Sequence, residues 1–193
     1  PIGSRFVVLP SWLKDEHWDA QPILIEPKMA FGTGHHQTTA LCLGALDRLA
    51  TEGVLGAGKS FLDLGTGSGI LGIAAAKLGL CGLGYDIDPV AIDNARENAA
   101  LNQVEAQLEL GVGSIDAIPQ ERRFDCILAN ILANPLIDMA EEICLRLARP
   151  GVLILSGILA EQADRVVAAY AAQGLENPEI SLSGEWALLV FRA

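Results

Sequence analysis

The sequence predicts an α/β domain with a mostly parallel seven-stranded sheet, one antiparallel strand and helices on both faces of the sheet. Three observations lead to this prediction. Short apolar segments alternate with helical patterns from residue 60 onward, which is typical of parallel strands joined by crossover helices. The last two apolar segments are joined only by a turn at Ser183 and Gly184, so they should pair antiparallel as a hairpin. A Gly-rich turn at residues 65–69 connects the first of these strands to the helix after it.

The predicted elements follow one another in regular order. Strands are expected at residues 60–64, 81–85, 106–110, 124–129, 152–155, 180–182 and 186–191. Helices are expected at residues 38–49, 70–78, 89–101, 134–148 and 160–173. Pro89 suits the first turn of its helix, and Pro150 and Gly174 mark the ends of the two later helices. Each parallel strand–helix–strand unit should be right-handed.

The chain divides into a leading part and a core. Residues 1–59 are predicted to hold a linker or short strand at residues 2–10, a lid loop, and a helix that packs on the core. The core occupies residues 60–193. A chain of 193 residues can bury a large core without metal ions or disulfides. The first residue is Pro1 and not methionine, so we expect a preceding segment outside this chain.

Composition and charge indicate a globular protein that does not bind nucleic acid directly. Hydrophobic residues make up 51% of the chain and charged residues 19%, which is not the composition of a disordered protein. The formal net charge is −11 and no basic stripe is present, whereas duplex and tRNA binders usually carry one. An acidic surface suits a basic protein partner, and solubility alone is an equally good explanation.

Cysteine usage and the lack of targeting signals predict a cytoplasmic protein without a membrane span. The four cysteines form no C-x-x-C pair, and we expect all of them to be free, buried thiols in a reducing compartment: Cys42, Cys81, Cys126 and Cys144. No signal peptide opens the chain, and no apolar run reaches the length of about 18 residues that a membrane helix needs.

The spacing of the Gly-rich turn favours an adenosine cofactor without phosphates. The turn reads Gly-Thr-Gly-Ser-Gly from Gly65 to Gly69, and a dinucleotide fold would need glycine where Ile70 stands. A phosphate-binding loop is also excluded, because no Gly-Lys-Ser/Thr follows and the nearest downstream cation is Lys77. Glycine in such a turn lets a ligand approach the backbone closely. A nicotinamide-dependent oxidoreductase is therefore the less favoured alternative.

A carboxylate at the end of the second core strand supplies the second signal. Asp86 follows Gly65 by roughly 20 residues, the separation at which an acidic side chain accepts hydrogen bonds from the ribose hydroxyls of an adenosine cofactor. Asp88 is predicted to cap the helix that opens at Pro89. The alternative is that both aspartates only cap this helix.

These motifs resemble the class I S-adenosylmethionine-dependent methyltransferases, which have a Rossmann-like fold. The resemblance covers residues 60–193 and implies S-adenosylmethionine as the cofactor and S-adenosylhomocysteine as the product. In that family the position of Asp63 lies near the methionine amino group, and the position of Asp86 holds the ribose. The expected cofactor site also includes residues of the turn and the residue after Asp86: Gly65, Thr66, Gly67, Gly69 and Ile87.

Two further segments narrow the resemblance to one family. One reads Ala-Phe-Gly-Thr-Gly-His-His-Gln-Thr-Thr over residues 30–39, and the other reads Leu-Ala-Asn-Ile-Leu-Ala-Asn-Pro-Leu over residues 128–136. With Gly-Glu-Trp at residues 184–186, they resemble the ribosomal protein L-eleven methyltransferase (PrmA) family over nearly the whole chain. Four cofactor-binding positions of this family match the sequence: Thr39, Gly65, Asp86 and Asn130.

The resemblance implies a specific substrate. Enzymes of the family methylate lysine side-chain and N-terminal amino groups of one large-subunit ribosomal protein, and they add several methyl groups to each nitrogen. A separate N-terminal domain recognises this substrate in the family, and we expect that domain to be absent from this chain. We therefore expect a monomeric protein-lysine methyltransferase with a basic ribosomal protein as its partner. The alternatives are another protein amine, a glutamine amide or a small molecule as acceptor, or a cofactor-binding fragment without activity of its own.

Asn130 is the candidate catalytic residue, because it ends the fourth core strand beside the expected sulfonium. Its side-chain oxygen and nearby carbonyls would accept hydrogen bonds from the incoming amine, whose pKa an apolar mouth would lower. The alternative is that Asn130 only caps the following turn. Ile131 and Leu132 replace the Pro-Pro of methyltransferases that grip a planar amide or base, which disfavours a glutamine or nucleobase acceptor.

The paired His35 and His36 do not predict a metal site. Adjacent histidines point in different directions, and no third ligand stands at a suitable spacing. We instead expect a mobile lid over the methionine end of the cofactor, with Gly32 and Gly34 as hinges and Phe31 closing over the pocket. The tryptophans are expected to be packing or rim residues: Trp12, Trp18 and Trp186.

Overall fold

The structure, a computed structural model, describes residues 2–26 and 35–193, without the side chains of His35 and His36. A small parallel sheet pairs β1 (Phe6–Pro10) with β2 (Gln21–Ile25). The main sheet has seven strands: β3 (Ser60–Leu64), β4 (Cys81–Asp86), β5 (Leu108–Val112), β6 (Phe124–Asn130), β7 (Leu147–Leu159), β8 (Glu179–Ser183) and β9 (Trp186–Arg192). The predicted lid with Phe31 lies outside the described residues.

The order of the strands in the main sheet is β5-β4-β3-β6-β7-β9-β8. Only β9 runs against its neighbours, and every other neighbouring pair in this sheet is parallel. The prediction of a mostly parallel seven-stranded sheet with one reversed strand near its edge is therefore confirmed. The chain builds outward from β3 to one edge and then returns to place β6 on the other side of β3. Such a switch point opens a crevice at the carboxyl ends of the two strands, where α/β folds bind their ligands.

The described residues form six α-helices, which cover both faces of the sheet as predicted: α1 (His35–Thr51), α2 (Ile70–Lys77), α3 (Pro89–Leu101), α4 (Ala133–Asp138), α5 (Ala140–Leu145) and α6 (Ala163–Ala171). The first three helices pack on one apolar core and the last three on another. Successive residues of β6 alternate between the two cores, with Leu128 in the first and Ile127 in the second. Because such a central strand is buried on both faces, its sequence is a continuous run of apolar residues. None of these helices is both long and apolar enough to span a bilayer.

The helix predicted at residues 134–148 is wrong in its extent. It is divided into α4 and α5, because the backbone at Met139 leaves the helical region with φ −94° and ψ 6°. The chain then enters β7 at Leu147, well before the predicted end of the helix. Between α5 and β7, the guanidinium of the buried Arg146 donates a hydrogen bond to the backbone carbonyl of Ile118 over 2.7 Å. A helical pattern does not reveal this long-range anchor.

The strand predicted at residues 152–155 is much longer in the structure, where β7 spans Leu147–Leu159. Two further predicted boundaries are also wrong. The strand predicted at residues 106–110 begins two residues later, because the N–H of Leu108 donates to the carbonyl of Val104 and closes a turn there (3.0 Å). The helix predicted at residues 160–173 begins with a 3-10 turn at Ala160–Gln162. In both places hydrogen bonds within a turn take the backbone groups that the predicted element would have used.

The small sheet fastens residues 2–26 to the core. Phe6 of β1 and Ile23 of β2 are fully buried in the same core as α1 and α2. The buried carboxylate of Asp47 in α1 accepts hydrogen bonds from the Ser4 backbone N–H (2.7 Å) and from the Nε of Arg5 (3.0 Å). The sequence does not predict β2, because this short strand contains a proline and has only one fully buried residue.

The four thiols differ in exposure, and the prediction that all of them are buried is wrong for Cys81. Cys81 is exposed where β4 begins, whereas the other three are buried. Burial raises the pKa of Cys42 to about 12 and the pKa of Cys144 to about 11, and it also raises the pKa of Cys126. A buried thiol with a raised pKa reacts slowly, since the thiolate is the nucleophile.

We therefore expect a thiol reagent at pH 8 to modify one cysteine of the native protein, Cys81. Intact-mass measurement before and after unfolding should show one added group and then four. The variant Cys81→Ser should show none in the native state. Rapid modification of two or more thiols in the folded protein would contradict the burial described here.

Candidate active site

A cavity of about 370 Å³ opens at the carboxyl ends of β3, β4 and β6, at the switch point of the sheet. Its walls are mostly apolar, and its described lining residues are Leu64, Gly65, Asp86, Ile87, Gly113, Ser114, Asn130, Ile131, Leu132, Pro135, Met139, Gly157 and Trp186. The lining brings together four of the residues predicted from the sequence, although they come from three different strand ends. This cavity is the candidate active site.

A second cavity of about 410 Å³ lies beside the 3-10 turn at Ile115–Ala117 and is lined by Arg146 and Glu142. It does not offer a free cation to a ligand. The guanidinium of Arg146 is fully buried and donates to the Ile118 carbonyl (2.7 Å) and to the Glu142 carboxylate (2.7 Å). The bond to Ile118 ties the end of α5 to the loop before β6, so the charge of Arg146 is already engaged within the protein.

The Gly-rich turn is held by backbone hydrogen bonds and by glycines in the left-handed region. The N–H groups of Gly65 and Thr66 both donate to the carbonyl of Tyr85 in β4 (2.8 and 3.0 Å). The φ angles of Gly65, Gly67 and Gly69 are +68°, +57° and +86°, a region that other residues rarely adopt. At Gly65 a side chain would also collide with the side chain of Ile131. The turn therefore needs glycine for its shape and for the close approach of β6.

Asp63 lies beneath the turn and is not among the residues that line the cavity. Its buried carboxylate accepts hydrogen bonds from the Oγ1 of Thr66 (2.6 Å) and from the N–H of Gly72 in α2 (3.1 Å). Desolvation by burial raises its pKa from 3.8 to about 7, although both hydrogen bonds act in the opposite direction. Through these two hydrogen bonds Asp63 links the turn to α2. The contact with the methionine amino group that the family resemblance implies stays a prediction.

The raised pKa of Asp63 has a measurable effect on stability. A carboxyl group with a higher pKa in the folded state contributes stability below its unfolded pKa, and this contribution is lost as the pH rises through the folded pKa. This stabilising contribution of Asp63 is therefore expected to be lost between about pH 4 and about pH 7. We expect the free energy of unfolding of the wild type, measured relative to the variant Asp63→Asn, to fall across this window. Denaturant titrations at several pH values would measure the difference, and a difference independent of pH would contradict the assignment.

Asp86 connects the turn to the start of α3 and also faces the cavity. Its Oδ2 accepts a hydrogen bond from the N–H of Gly67 (3.0 Å) and its Oδ1 from the N–H of Asp88 (2.9 Å). Each carboxylate oxygen has two lone-pair sites, so both retain capacity for a further donor. Asp88 accepts from the N–H of Val90 (2.9 Å), which confirms the prediction that it caps this helix. Asp86 itself does not cap α3.

Asn130 ends β6, opposite Ser156 of β7. It lines the cavity, and its Oδ1 is buried without a hydrogen-bond donor among the described residues. The alternative that Asn130 caps the following turn finds no support, because Leu132 occupies the N-cap of α4 and no side chain caps that helix. The site therefore presents one uncommitted amide oxygen next to the Gly-rich turn.

Gly157 is a site residue that the sequence analysis missed. It has a φ of +82° and lies at an irregularity in the pairing of β7 with β9. A Cβ at this position would lie 2.6 Å from the backbone oxygen of Ile131, so only glycine lets β7 approach the segment after Asn130 this closely. A glycine inside a strand pattern can indicate such an approach, but the partner is not identifiable from the sequence.

The remaining predicted residues lie apart from the cavity or outside the described part of the chain. Thr66, Gly67 and Gly69 shape the turn but do not line the cavity. Thr39 lies in the first turns of α1 and is also absent from the described lining. Phe31 lies outside the described residues. Within the described part of the chain, no group of three or more His, Cys, Asp or Glu residues is placed to hold a metal ion.

Sequence comparison connects this chain to one family. The family model described as "Ribosomal protein L11 methyltransferase (PrmA)" matches residues 1–193. Ribosomal protein L11 methyltransferases from Pelobacter propionicus and Geobacter sulfurreducens are 43% and 47% identical to this chain over 193 and 194 residues. Both alignments cover 99% of this chain but only 62% and 61% of the relatives, so the chain spans about three fifths of their length.

Structural comparison agrees with the sequence comparison. A crystal structure of ribosomal protein L11 methylase from Lactobacillus delbrueckii subsp. bulgaricus has a TM-score of 0.84 and 34% identity, covering 97% of this chain and 94% of that chain. An RNA methyltransferase from Salinibacter ruber in complex with S-adenosyl-L-homocysteine has a TM-score of 0.61 at 17% identity, covering 77% and 89%, which concerns the fold alone. The predicted methyltransferase fold and the family resemblance are confirmed. Because the family model matches the whole chain, this protein belongs to the ribosomal protein L11 methyltransferase (PrmA) family.

Proposed function

We propose that this chain binds S-adenosylmethionine and transfers its methyl group to lysine side-chain and N-terminal amino groups of a ribosomal protein. The observation that carries the proposal is the buried Oδ1 of Asn130, which has no donor among the described residues and lies in the same cavity as Gly65 and Asp86. A buried acceptor without a partner costs about 1–3 kcal/mol. Its presence favours a ligand that donates a hydrogen bond at this point, as an amine does.

The cavity fits a nucleoside cofactor without phosphates. Among its described lining residues there is no lysine, arginine or histidine to neutralise a diphosphate. The carboxylate of Asp86 has free acceptor capacity and would receive the ribose hydroxyls. The exposed side chain of Ile87, 77% accessible, offers an apolar surface for the base beside it. A carboxylate and apolar walls are compatible with a positively charged sulfonium and unfavourable for a diphosphate.

When bound, the cofactor supplies an electrophilic methyl group, so the task of the protein is to position and desolvate the nucleophile. Asn130 would accept an N–H of the amine through its Oδ1 and so orient the nitrogen lone pair. Leu132, Met139 and Trp186 line the cavity with apolar surface, and an amine packed against them would be partly desolvated, which would lower its pKa from about 10.4. Asp86 is the only ionisable group among the described lining residues, and it is engaged by two backbone N–H groups. The amine would therefore lose its proton to solvent before it enters.

The identity of the protein that accepts the methyl group is the most specific part of the proposal. The family name and the relatives specify ribosomal protein L11, and the net charge of −11 favours a basic partner by electrostatic steering. We also expect a cytoplasmic monomer, for which sedimentation of the purified chain tests the monomeric state.

Mass spectrometry of a ribosomal protein mixture after incubation with the chain and labelled S-adenosylmethionine would test the proposal. We expect label on the amino groups of one basic large-subunit protein. Label on glutamine amides or on RNA would refute the proposed acceptor. No label on any protein, together with cofactor binding in calorimetry, would identify the chain as a cofactor-binding part that is inactive alone.

A further inference from the structure

Asn98 in α3 joins two segments that are far apart in the sequence. Its side chain is fully buried. Its Oδ1 accepts a hydrogen bond from the N–H of Glu26, directly after β2 (2.9 Å). Its Nδ2 donates to the carbonyl of Ser68 in the Gly-rich turn (2.8 Å). One amide group thus contacts the end of the small sheet and the turn of the candidate active site at once.

Asn102 lies one helical turn later, at the C-cap of α3, and provides a comparison at the same end of the helix. Its Oδ1 accepts from the N–H of Leu24 (2.8 Å), and its Nδ2 donates to the carbonyls of Leu24 (2.7 Å) and Asn98 (2.8 Å). Asn102 therefore holds the backbone of β2 at Leu24, and Asn98 holds the adjoining backbone at Glu26. Only Asn98 also reaches the turn. The two residues share a residue type and a buried position, and of the two only Asn98 contacts the Gly-rich turn.

The contact with Ser68 fixes a part of the turn that its own backbone leaves free. The N–H of Gly69 bonds within the turn to Thr66, and the N–H of Gly67 bonds to Asp86, but no described residue other than Asn98 donates to the carbonyl of Ser68. Gly69 has no side chain to restrict its φ of +86°. Without the Asn98 donor, the peptide between Ser68 and Gly69 would lose its buried partner and gain freedom to rotate.

We propose that Asn98 is a positioning residue that couples the small sheet of β1 and β2 to the cofactor-binding turn. Glu26 and Ser68 can both be satisfied only when β2 and the turn hold their places against α3. A ligand that orders the turn therefore also stabilises the Glu26 amide directly after β2, and loosening of Glu26 from Asn98 weakens the binding of that ligand, because such coupling is reciprocal. The identity of that ligand as S-adenosylmethionine rests on the proposed function, whereas the coupling itself does not.

Hydrogen exchange in the absence of any ligand tests the coupling directly. In Asn98→Ala we expect faster exchange of the amides of Glu26 and of residues 67–69 together. In the matched control Asn102→Ala we expect faster exchange at Leu24 with the turn unchanged. Equal protection of the turn in both variants would overturn the proposal. If Asn98→Ala does not fold, Asn98→Asp at pH 8 serves instead, because it keeps the acceptor for Glu26 and removes the donor to Ser68.

Ligand binding provides a second readout that separates the coupling from the proposed function. With S-adenosylhomocysteine as the probe, we expect greater protection of the Glu26 amide in the wild type, and no change at the Leu24 amide, which Asn102 holds. We expect roughly tenfold weaker binding in Asn98→Ala and unchanged affinity in Asn102→Ala, measured by calorimetry. Equal loss of affinity in both variants would show that Asn98 only stabilises the fold and does not position the turn. Failure of the wild type to bind this probe would refute the proposed function, while the ligand-free exchange experiment would still decide the coupling.

Discussion

Replacement of Asn130 by alanine is expected to lower the rate of methyl transfer by about 10- to 100-fold, while cofactor affinity changes much less. The reason is that Oδ1 of Asn130 is buried in the cavity without a donor among the described residues, so its acceptor is available to the incoming amine. Single-turnover kinetics and calorimetry on the same preparation would separate the two effects. Asn134→Ala is a suitable control, because Asn134 is exposed in α4 near the same segment. Equal losses of rate and affinity in Asn130→Ala would make Asn130 a binding residue only.

The successive methylation steps allow a more specific prediction for Asn130→Ala. A primary amine and a monomethylated amine carry an N–H that Asn130 can accept, whereas a dimethylated amine in its neutral form carries none. We therefore expect Asn130→Ala to slow the first two methyl transfers more than the third. Mass spectrometry of products over time would show unmodified and monomethylated substrate persisting while little dimethylated product accumulates. Uniform slowing of all three steps would contradict an orienting hydrogen bond from the amine.

Replacement of Asp86 by alanine is expected to weaken cofactor binding by about 1–3 kcal/mol, which corresponds to roughly a 5- to 150-fold higher Kd. Two effects contribute to this loss. The ribose would lose its acceptor, and the N–H groups of Gly67 and Asp88 would lose the carboxylate that now holds them. Asp88→Ala is the matched control, because it removes only the cap on Val90 and should lower stability by about 1 kcal/mol without changing affinity.

A ligand analogue separates the two contributions of Asp86. Removal of the 2′-hydroxyl from S-adenosylhomocysteine should weaken binding to the wild type and have little further effect on Asp86→Ala. A thermodynamic cycle of the two proteins and the two ligands separates the contact between the carboxylate and the ribose from the effect of Asp86 on the turn. If the deoxy analogue loses the same affinity in both proteins, the ribose lies elsewhere.

The fold was predictable because the central strands are apolar on both faces and regularly spaced. The segments that became β3, β4, β6 and β9 show this pattern clearly. The errors arose where long-range contacts decide the structure. The predicted helix at residues 134–148 is divided at Met139, where the backbone leaves the helical region, and its end is fixed at Arg146, which reaches the carbonyl of Ile118, a partner that no local pattern reveals. The strand β2 escaped prediction because it contains a proline and only one fully buried residue, and because the side chain that holds its backbone at Leu24 comes from the distant Asn102.

The candidate site was predictable to the extent that its residues are tied to strand ends. Asp86 and Asn130 could be identified because the carboxyl ends of neighbouring parallel strands meet at one edge of the sheet. Gly157 could not be, since its importance depends on the distance to the backbone of Ile131. In the sequence, Asn98 is one polar residue of an amphipathic helix. Its burial could not be predicted, because it depends on the contacts with Glu26 and with the turn.

A crystal structure of the chain with S-adenosylhomocysteine is the most direct measurement of the central claim, which is that the cavity between β3, β4 and β6 binds a nucleoside cofactor without phosphates. We predict the ribose hydroxyls within hydrogen-bond distance of Asp86 and the sulfur facing Asn130. An adenosine moiety bound elsewhere on the molecule, or a diphosphate-bearing nucleotide that displaces it from this cavity, would contradict the account.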